Sequence, residues 1–557
     1  MKKNSILFLL LLIIPALAFA QTGLRKRADK AFDRLAYVKA AGLYQRLTAK
    51  KANDRDYERL GDCYRLMGQT GQSEAWYGKV ATGAAPTPNS LLHYAEALRA
   101  NGKYVESESW MQKYFAVRGD DMRAKLYMSN AQYFETLKAQ QPYFSLSNLD
   151  VNTPQSDFGT AFYNGNIIFA SSRLDKVSVK NVHTWNEMPF LNLYVANRDG
   201  QGNLSKVIAL NEKLNTRYHE GPACFSADGK VLYFTRNNYF KKKFRKDTKG
   251  INNLKIFRAT TNNGTWQEEN LSINSDEFSV GHPALSPDGK YLYFVSDMPG
   301  GKGTTDIYRA VINEDASLGT PENLGDGINT EGREMFPFLD IEGNLFFSSD
   351  GQVGLGGLDV FYAPDDRKNG FGKVTNVGLP VNSSSDDFAL VLDATGKSGY
   401  FSSNREGGKG DDDIYALTLI RPFKTTYLVK GIAKDKTSGA PLASANVMLN
   451  DADGNIVASV ITDETGAYQF EIEAGKNYAL DGEKEKYFAG STSFTINENS
   501  DVTEIVKDVL LEKDPGLSLY VLIKDKTNNT GIRDVKIKVT DNFTGKTDSI
   551  LTPEGGD

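Results

Sequence analysis

The stretch "SPDGKYLYFVSDMPGGKGTTDIY" (residues 286–308) contains most of one unit of a pattern that recurs along the middle of the chain. A Pro-Asp-Gly-Lys turn precedes the run "YLYFVS", and a glycine-rich turn leads to a second short run, "DIY". Aromatic and aliphatic residues between such turns predict short β-strands joined by tight connections. This unit therefore predicts an antiparallel β fold.

The same turn occurs five times between residues 142 and 419, at spacings of 64, 60, 54 and 53 residues. A strand is predicted before each turn, a second after it, a third at an aliphatic-aromatic pair, and a looser fourth. Four strands in each repeat of this length indicate a β-propeller over residues 141–420. The turn glycines are Gly165, Gly229, Gly289, Gly343 and Gly396.

The number of blades depends on how the last repeat is completed. The fifth repeat passes through "DDDIYALTLI" (411–420) into the next region without a fourth strand. The segment "YFSLSNLDVNTPQSDF" (143–158), before the first repeat, supplies a strand that would close the ring. We predict five blades, with six as the alternative if one repeat is degenerate.

The repeat resembles the WD40-like repeat of periplasmic propellers such as that of the Tol-Pal system.

Residues 21–140 have a helical pattern with a different period. Small residues recur at Ala28, Gly61 and Ala95, at spacings of 33 and 34 residues. A 34-residue period of this kind resembles the tetratricopeptide repeat, followed here by a predicted capping helix over residues 122–139. The resemblance implies an α-solenoid whose concave groove binds a partner.

Residues 425–513 have strand patterns of a third kind. "YLVKGIAKDKTSGAPLASANVMLND" (427–451) and "ITDETGAYQFEIEAGKNYAL" (461–480) resemble the carboxypeptidase-regulatory-like, transthyretin-like β-sandwich. "YVLIKDKTNNTGIRDVKIKV" (520–539) resembles the start of a second copy. Residues 516–557 are therefore predicted to begin a further sandwich or another domain that is truncated.

The N-terminus indicates export. Lys2 and Lys3 precede an apolar run over residues 6–17, and Ala18-Phe19-Ala20 fits a cleavage site. We interpret residues 1–20 as a cleaved signal peptide, with an uncleaved anchor as the alternative, and no later stretch is apolar enough for a transmembrane helix. Loss of the two lysines changes the net charge from −5 to −7, which argues against a nucleic-acid-binding protein.

This order of domains resembles OmpA-family envelope proteins of Bacteroidetes-type bacteria, including periplasmic members associated with type IX secretion and gliding motility. The resemblance implies a periplasmic location at the outer membrane and partners among outer-membrane and periplasmic proteins. Such proteins typically end in an OmpA-like domain that binds peptidoglycan. Here peptidoglycan binding is implied only through a region beyond residue 557.

Motifs for catalysis are missing from the sequence. "ATGKSGYF" (394–401) lacks the first glycine of a P-loop, and neither G-x-S-x-G nor H-E-x-x-H occurs. We therefore predict no enzyme, no cofactor, no catalytic residue and no metal site. The first hypothesis is a non-enzymatic scaffold for protein docking; the alternative is a glycan- or peptide-binding module in the propeller, as in a sensor or uptake accessory.

Two groups of residues are candidates for binding. Four lie just before the predicted innermost strands and could surround the central channel, although hydrogen-bonded turn residues are the alternative interpretation: Glu220, His282, Glu334 and Asp387. The basic run "KKKFRK" (241–246) could dock an acidic partner or a lipid headgroup, with a solvated loop as the alternative. Its charged residues are Lys241, Lys242, Lys243, Arg245 and Lys246.

The stretch "GGKGDDDIY" (407–415) at first suggests a phosphate or calcium site. Aligned with the other repeats, only Asp413 recurs, matched by Asp306 and Asp359 before the aliphatic-aromatic pair. A repeated carboxylate there is predicted to cap backbone N–H groups of the turn. Asp411 and Asp412 correspond to threonines in the third repeat, so a calcium site shared by the repeats is not expected.

Overall fold

The computed structural model describes residues 21–50, 52–130, 132–174, 182–210, 214–262, 265–366, 370–421, 423, 426–473, 476–496, 504–516, 519–542 and 545–555. These residues form two compact units, one ending at Phe423 and the other beginning after it. None of the helices in these ranges is long and apolar enough to cross a membrane. The predicted signal peptide, residues 1–20, lies outside the described residues.

The first unit begins with eight helices in its described part, and each of the second to sixth helices packs against the helix that follows it. The third and fifth helices begin 34 residues apart, at Asp54 and Pro88. The helices are 21–32 (α1), Tyr37–Thr48 (α2), Asp54–Leu66 (α3), Thr70–Ala81 (α4), Pro88–Ala100 (α5), Tyr104–Val117 (α6), Met122–Ser129 (α7) and Tyr133–Ala139 (α8).

Two details of the helices follow from single residues. A side chain added at Gly61 on α3 would lie 2.9 Å from the ring of Tyr77 on α4, so this crossing requires glycine. The predicted single helix over residues 122–139 is instead two helices, α7 and α8. Regular helical backbone is interrupted before α8, because Gln132 adopts a left-handed φ of 59°.

Residues 144–419 form five four-stranded antiparallel sheets among the described residues, numbered in the order of the sequence repeats. The strands of each sheet are given in their order across the sheet. Sheet 1 contains Asp157–Tyr163, Asn166–Ser171, Asn192–Arg198 and Leu204–Ala209; sheet 2 contains Glu220–Phe225, Val231–Asn237, Leu254–Asn262 and Thr265–Asn270. Sheet 3 contains Val280–Leu285, Tyr291–Ser296, Asp306–Val311 and Glu322–Asn323; sheet 4 contains Glu334–Leu339, Leu345–Ser349, Asp359–Ala363 and Thr375–Asn376. Sheet 5 contains Asp387–Leu392, Ser398–Ser403, Asp413–Leu419 and Phe144–Asn148.

The five sheets close into a ring. The first strand of each sheet packs against the first strand of the next, and the first strand of sheet 5 packs against that of sheet 1. The fourth strand of sheet 5 comes from before sheet 1, since Phe144 pairs with Leu419 and Asn148 pairs with Tyr415. The two ends of this part of the chain therefore meet in one sheet.

An asparagine after the fourth strand of every sheet bonds back to the third strand of that sheet. Its Oδ1 accepts a hydrogen bond from one backbone N–H, and its Nδ2 donates to the C=O of the same residue, at 2.7 to 3.0 Å. The side-chain amide thus satisfies backbone groups that the fourth strand does not reach. These latch asparagines are Asn152 (on Ile414), Asn215 (on Leu193), Asn274 (on Ile256), Asn329 (on Ile307) and Asn382 (on Val360).

The helices are joined to sheet 4 through a buried arginine. Arg99 on α5 is 2% exposed, and its Nε donates to the carbonyl of Gly356 at 2.7 Å. A second guanidinium nitrogen donates to the carbonyl of Asp350 at 3.3 Å. Leu355, in the same loop, belongs to the apolar cluster of the helices that also contains Leu92. The helices and the ring of sheets therefore share one core at this point.

The second unit contains two sheets around one hydrophobic core and a separate hairpin. The core includes Val429 and Leu511 from one sheet and Val447 and Leu480 from the other. The first sheet contains Thr426–Asp435, Ala467–Glu473, Tyr487–Phe488, Glu504–Val506 and Val509–Lys513. The second contains Asn446–Asn450, Ile456–Ile461, Asn477–Glu483 and Gly490–Thr495, and the hairpin is Lys536–Thr540 with Thr547–Leu551.

The latch at the ring closure gives a first prediction. Asn152→Ala leaves the N–H of Ile414 without its side-chain acceptor, and we expect a loss of about 2 to 3 kcal/mol in the free energy of unfolding of the first unit. Hydrogen exchange of the Ile414 amide, measured by NMR or by mass spectrometry of its peptide, is expected to accelerate. Asn313→Ala, at an exposed loop asparagine, is the matched control. Unchanged protection of Ile414 in Asn152→Ala would contradict the role of the latch.

Candidate functional site

The candidate carboxylates of the ring are the first residues of first strands. Glu220, Glu334 and Asp387 begin these strands in sheets 2, 4 and 5, and Asp157 has the same place in sheet 1. All four residues are 0% exposed. Sheet 3 has Val280 at this place. Asp157 is not among the site residues predicted from the sequence, although the same pattern of asparagine, hydroxyl residue and carboxylate marks it.

Each of these carboxylates is held by a hydroxyl residue four positions earlier, directly after a latch asparagine. Glu220 accepts hydrogen bonds from the N–H and the hydroxyl of Thr216 at 2.9 and 2.7 Å. Glu334 accepts the same two bonds from Thr330 at 2.9 and 2.7 Å. These side chains therefore fix the turn between two sheets, which was the alternative interpretation of the sequence.

The counter-charges differ among the four. Arg173 pairs with Asp157 at 2.7 Å, Arg236 pairs with Glu220 at 3.0 Å, and Arg405 pairs with Asp387. Among the described residues, Glu334 pairs with no cation, and its further partner is the hydroxyl of Ser349 at 2.7 Å. Burial raises the pKa of Glu334 to about 7.

The fourth candidate, His282, belongs to an aromatic cluster in the middle of the ring. The His282 ring stacks on Phe336 with 3.9 Å between centroids, and Phe336 lies 4.8 Å from Phe388. Phe158 completes the cluster at 5.7 Å from Phe388. Burial lowers the pKa of His282 to about 3, so its ring is neutral at physiological pH. We call Phe158, His282, Phe336 and Phe388 the aromatic plug.

Two cavities adjoin the plug, and both are lined by His282 and Phe336. The first has a volume of 640 Å³ and is lined by first strands of all five sheets. Its walls are largely apolar, with Pro222 and Phe338 among them. The second has a volume of 700 Å³ and is lined also by Arg34 from the helical region. We call the second one the helix-side cavity.

The helix-side cavity is rich in aromatic side chains. Trp185, in the insertion between the second and third strands of sheet 1, donates from Nε1 to the carbonyl of Leu66 at 2.7 Å. The Trp185 ring also packs edge-on against Tyr37 at 4.8 Å, so the helices hold this wall in place. The aromatic residues that line the cavity are Phe158, His183, Trp185, Phe190, Tyr218, His219, Phe244, His282 and Phe336.

Asp411 and Asp412 line the same cavity. Asp411 accepts a long hydrogen bond from the hydroxyl of Ser156 at 3.4 Å. In the part of the chain that the structure describes, neither carboxylate belongs to an ion pair. Burial and the neighbouring Asp411 raise the pKa of Asp412 to about 7. The sequence pattern predicts no site at this pair, because neither aspartate recurs in the other repeats.

The third aspartate of the same stretch has a different role. Asp306, Asp359 and Asp413 each accept a hydrogen bond from the backbone N–H three residues earlier, at 2.9, 3.0 and 3.3 Å. These carboxylates cap the glycine-rich turn that precedes the third strand of sheets 3, 4 and 5.

The basic run forms a short hairpin between the second and third strands of sheet 2. Its strands are Tyr239–Phe240 and Lys243–Phe244, and Lys241 and Lys242 at the tip have φ of 49° and 65°. Two successive positive φ values are typical of a tight hairpin turn. Its five charged side chains are exposed: Lys241, Lys242, Lys243, Arg245 and Lys246.

The arrangement offers limited chemistry. Within the described residues, no group of three or more His, Cys, Asp and Glu side chains is placed to hold a metal ion. The buried carboxylates Asp157, Glu220, Glu334 and Asp387 are engaged in turns. The two cavities and the basic hairpin are available for ligand contact.

Comparison with known proteins identifies one domain. The carboxypeptidase regulatory-like domain family matches residues 429–509, which confirms the predicted domain over that range. No curated protein sequence matches the chain.

Solved structures show distant likenesses. A family 117 glycoside hydrolase of the marine bacterium Zobellia galactanivorans has 16% identity and a TM-score of 0.32, covering 50% of this chain and 92% of that one. A family 43 β-xylosidase/α-arabinofuranosidase from a compost microbial metagenome has 13% identity and a TM-score of 0.33, covering 57% and 98%. Puromycin hydrolase has 11% identity and a TM-score of 0.27, covering 72% and 59%. Likenesses of this size carry no argument about function.

The pKa of Glu334 gives a second prediction. An unfolded glutamate titrates near 4.5 and buried Glu334 at about 7, so this residue makes folding more favourable as pH falls from 7 to 4.5. Glu334→Gln removes that contribution. Relative to the wild type, we expect the variant to be more stable by about 2 to 3 kcal/mol at pH 8 and equal near pH 4.5.

Urea denaturation across this pH range measures the difference. Glu342→Gln, at an exposed position of the same sheet, is the control and is expected to follow the wild type. If Glu334→Gln and the wild type gave parallel pH profiles, the raised pKa of Glu334 would be contradicted.

Proposed function

We propose that this chain is a non-enzymatic scaffold that docks other proteins of the bacterial cell envelope. The observation that carries the proposal is the buried Arg99 joint, which fixes the helices on sheet 4. The helical region and the ring therefore keep a fixed position relative to each other. A partner that binds one of them is held at a raised effective concentration near the other. The engagement of the four buried carboxylates in turns supports a function without acid–base catalysis.

We further propose the finer identity of each domain. The helices over residues 21–140 are tetratricopeptide repeats, supported by the 34-residue spacing of α3 and α5. The ring over residues 141–420 is a five-bladed WD40-like propeller, and the strand Phe144–Asn148 favours five blades over six because it fills the fourth place in sheet 5. Residues 425–513 are a transthyretin-like sandwich, and residues 516–557 begin a further domain.

The proposed location and partners rest on the resemblance to OmpA-family envelope proteins. We propose that the chain acts in the periplasm, at the outer membrane, after cleavage of residues 1–20. Its partners are outer-membrane components of a type IX secretion or gliding apparatus. Peptidoglycan is contacted through an OmpA-like domain beyond residue 557.

The basic hairpin is proposed as one docking surface. It projects Lys241 and Lys242 at its tip and Lys243 beside them, and none of the three forms an ion pair with another described residue. Arg245 alone reaches a carboxylate, that of Asp276 at 3.5 Å. Uncompensated charge on an exposed turn steers encounter with an acidic protein surface.

A second candidate function is a glycan- or peptide-binding module. The helix-side cavity favours it, because 700 Å³ lies within the range of about 300–1,000 Å³ that is typical of ligand sites.

The scaffold proposal predicts partners that depend on the hairpin. In-cell crosslinking, pull-down and mass spectrometry of the wild type are expected to recover outer-membrane proteins. The triple variant Lys241→Glu, Lys242→Glu, Lys243→Glu is expected to lower the recovery of at least one of them about tenfold, because close charge pairs contribute ~1.5 kcal/mol or more.

The matched control reverses three exposed lysines elsewhere in the ring, Lys206, Lys373 and Lys397. Its recovery of partners is expected to equal that of the wild type. Failure of the wild type to capture any envelope protein would overturn the scaffold proposal. Equal capture by the hairpin variant would overturn only the role of the hairpin.

A further inference from the structure

The helix-side cavity combines neutral aromatic rings with two carboxylates that form no ion pair with a described residue. At one wall, Asp411 and Asp412 lie beside Ser156, next to Phe158 of the aromatic plug. Burial lowers the pKa of His219 and of His282 to about 3, so these rings add no positive charge at physiological pH. Ring faces and carboxylates together are the groups that hold an organic cation.

The carboxylate pair is not required by the fold. The same two places before the third strand hold Thr304 and Thr305 in sheet 3. In sheet 4 they hold Gly357 and Leu358, and the turn forms there as well. Sheet 5 alone has two carboxylates at these places, and they face a cavity that the helices partly cover.

The charges around the cavity are distributed unequally. Its two cations, Arg34 and Lys246, are exposed, and neither pairs with Asp411 or Asp412. The two carboxylates repel each other electrostatically. The nearby Asp386 adds negative potential at the same wall. A ligand with a positive charge would relieve this repulsion, whereas an anionic ligand would increase it.

We propose that the helix-side cavity binds a lysine or arginine side chain of a partner peptide. The charged group contacts Asp411 and Asp412, its aliphatic stem packs on the aromatic plug, and neighbouring peptide residues contact Tyr218 and Phe244. The hydroxyl of Ser156 and the two carboxylates supply acceptors for the ammonium or guanidinium N–H groups. The volume of 700 Å³ accommodates a short segment around that side chain.

This inference names a partner chemistry for the proposed docking function and rests on it. The two are tested separately, because peptide binding is measured on the purified chain and crosslinking in the cell. Loss of envelope partners with intact peptide binding would overturn the scaffold alone. Capture of envelope partners without peptide binding would overturn the cavity site alone.

The probes are four acetylated, amidated tetrapeptides, Ala-Arg-Ala-Ala, Ala-Lys-Ala-Ala, Ala-Gln-Ala-Ala and Ala-Glu-Ala-Ala, together with chitotetraose. Isothermal titration calorimetry with the full chain is expected to show binding of the arginine and lysine peptides at least tenfold tighter than the glutamine peptide. The double variant Asp411→Asn, Asp412→Asn is expected to weaken the cationic peptides at least tenfold, since one charge-assisted contact is worth about that factor.

The control Glu314→Gln, Asp326→Asn replaces two carboxylates at exposed turns on either side of the fourth strand of sheet 3. It is expected to bind the cationic peptides like the wild type, and thermal unfolding verifies that both double variants are folded. Equal binding of the arginine, lysine and glutamine peptides, or no binding of any peptide at millimolar concentration, would overturn the proposal. Binding of chitotetraose alone would overturn it in favour of a glycan site.

Discussion

One side-chain amide completes each sheet of the ring where its fourth strand ends. The third-strand residue there presents an N–H and a C=O away from the second strand, and a latch asparagine satisfies both. Asn329 and Asn382 are 0% exposed, so water cannot replace them, and a buried N–H without a partner costs about 1 to 3 kcal/mol. The next residue, a threonine or serine in each case, holds the carboxylate that begins the following sheet in four of the five sheets. A latch asparagine and the hydroxyl residue after it thus connect the loop that carries them to the third strand of one sheet and the first strand of the next.

The sequence predicts the repeating unit because alternation and turns are local properties. It also predicts the closing strand, since the fifth repeat visibly lacks one. The latch is harder to predict from the sequence. The motif "GINT" (327–330) follows a fourth strand, and an asparagine recurs at this place in each repeat. The bond from Asn329 runs to Ile307, 22 residues earlier, and the sequence of the turn does not mark that partner. The break between α7 and α8 is hidden for a related reason, because a left-handed residue such as Gln132 need not be glycine.

The candidate site is predicted less well than the fold. A glutamate before an inner strand has the same sequence signature whether it faces a channel or a turn, and Glu220 and Glu334 face turns. The helix-side cavity depends on contacts between distant segments, such as Trp185 with Leu66, 119 residues apart. Asp411 and Asp412 are recognised as cavity residues only when those distant segments are in place. In the sequence they are two non-recurring residues beside a recurring one.

The strand Phe144–Asn148 precedes the whole ring in the chain yet pairs with its last strand, and Asn152 bonds to Ile414 across 262 residues. Until sheet 5 forms, this segment has no strand to pair with, and closing the ring joins residues far apart in the chain at a cost in loop entropy. Non-local pairing of this kind slows folding. A chain interrupted before residue 413 exposes Phe144, which is 1% exposed in the folded protein, together with an open strand edge. The topology thus provides a check on completeness, since an unfinished chain displays the surface that chaperones and proteases recognise.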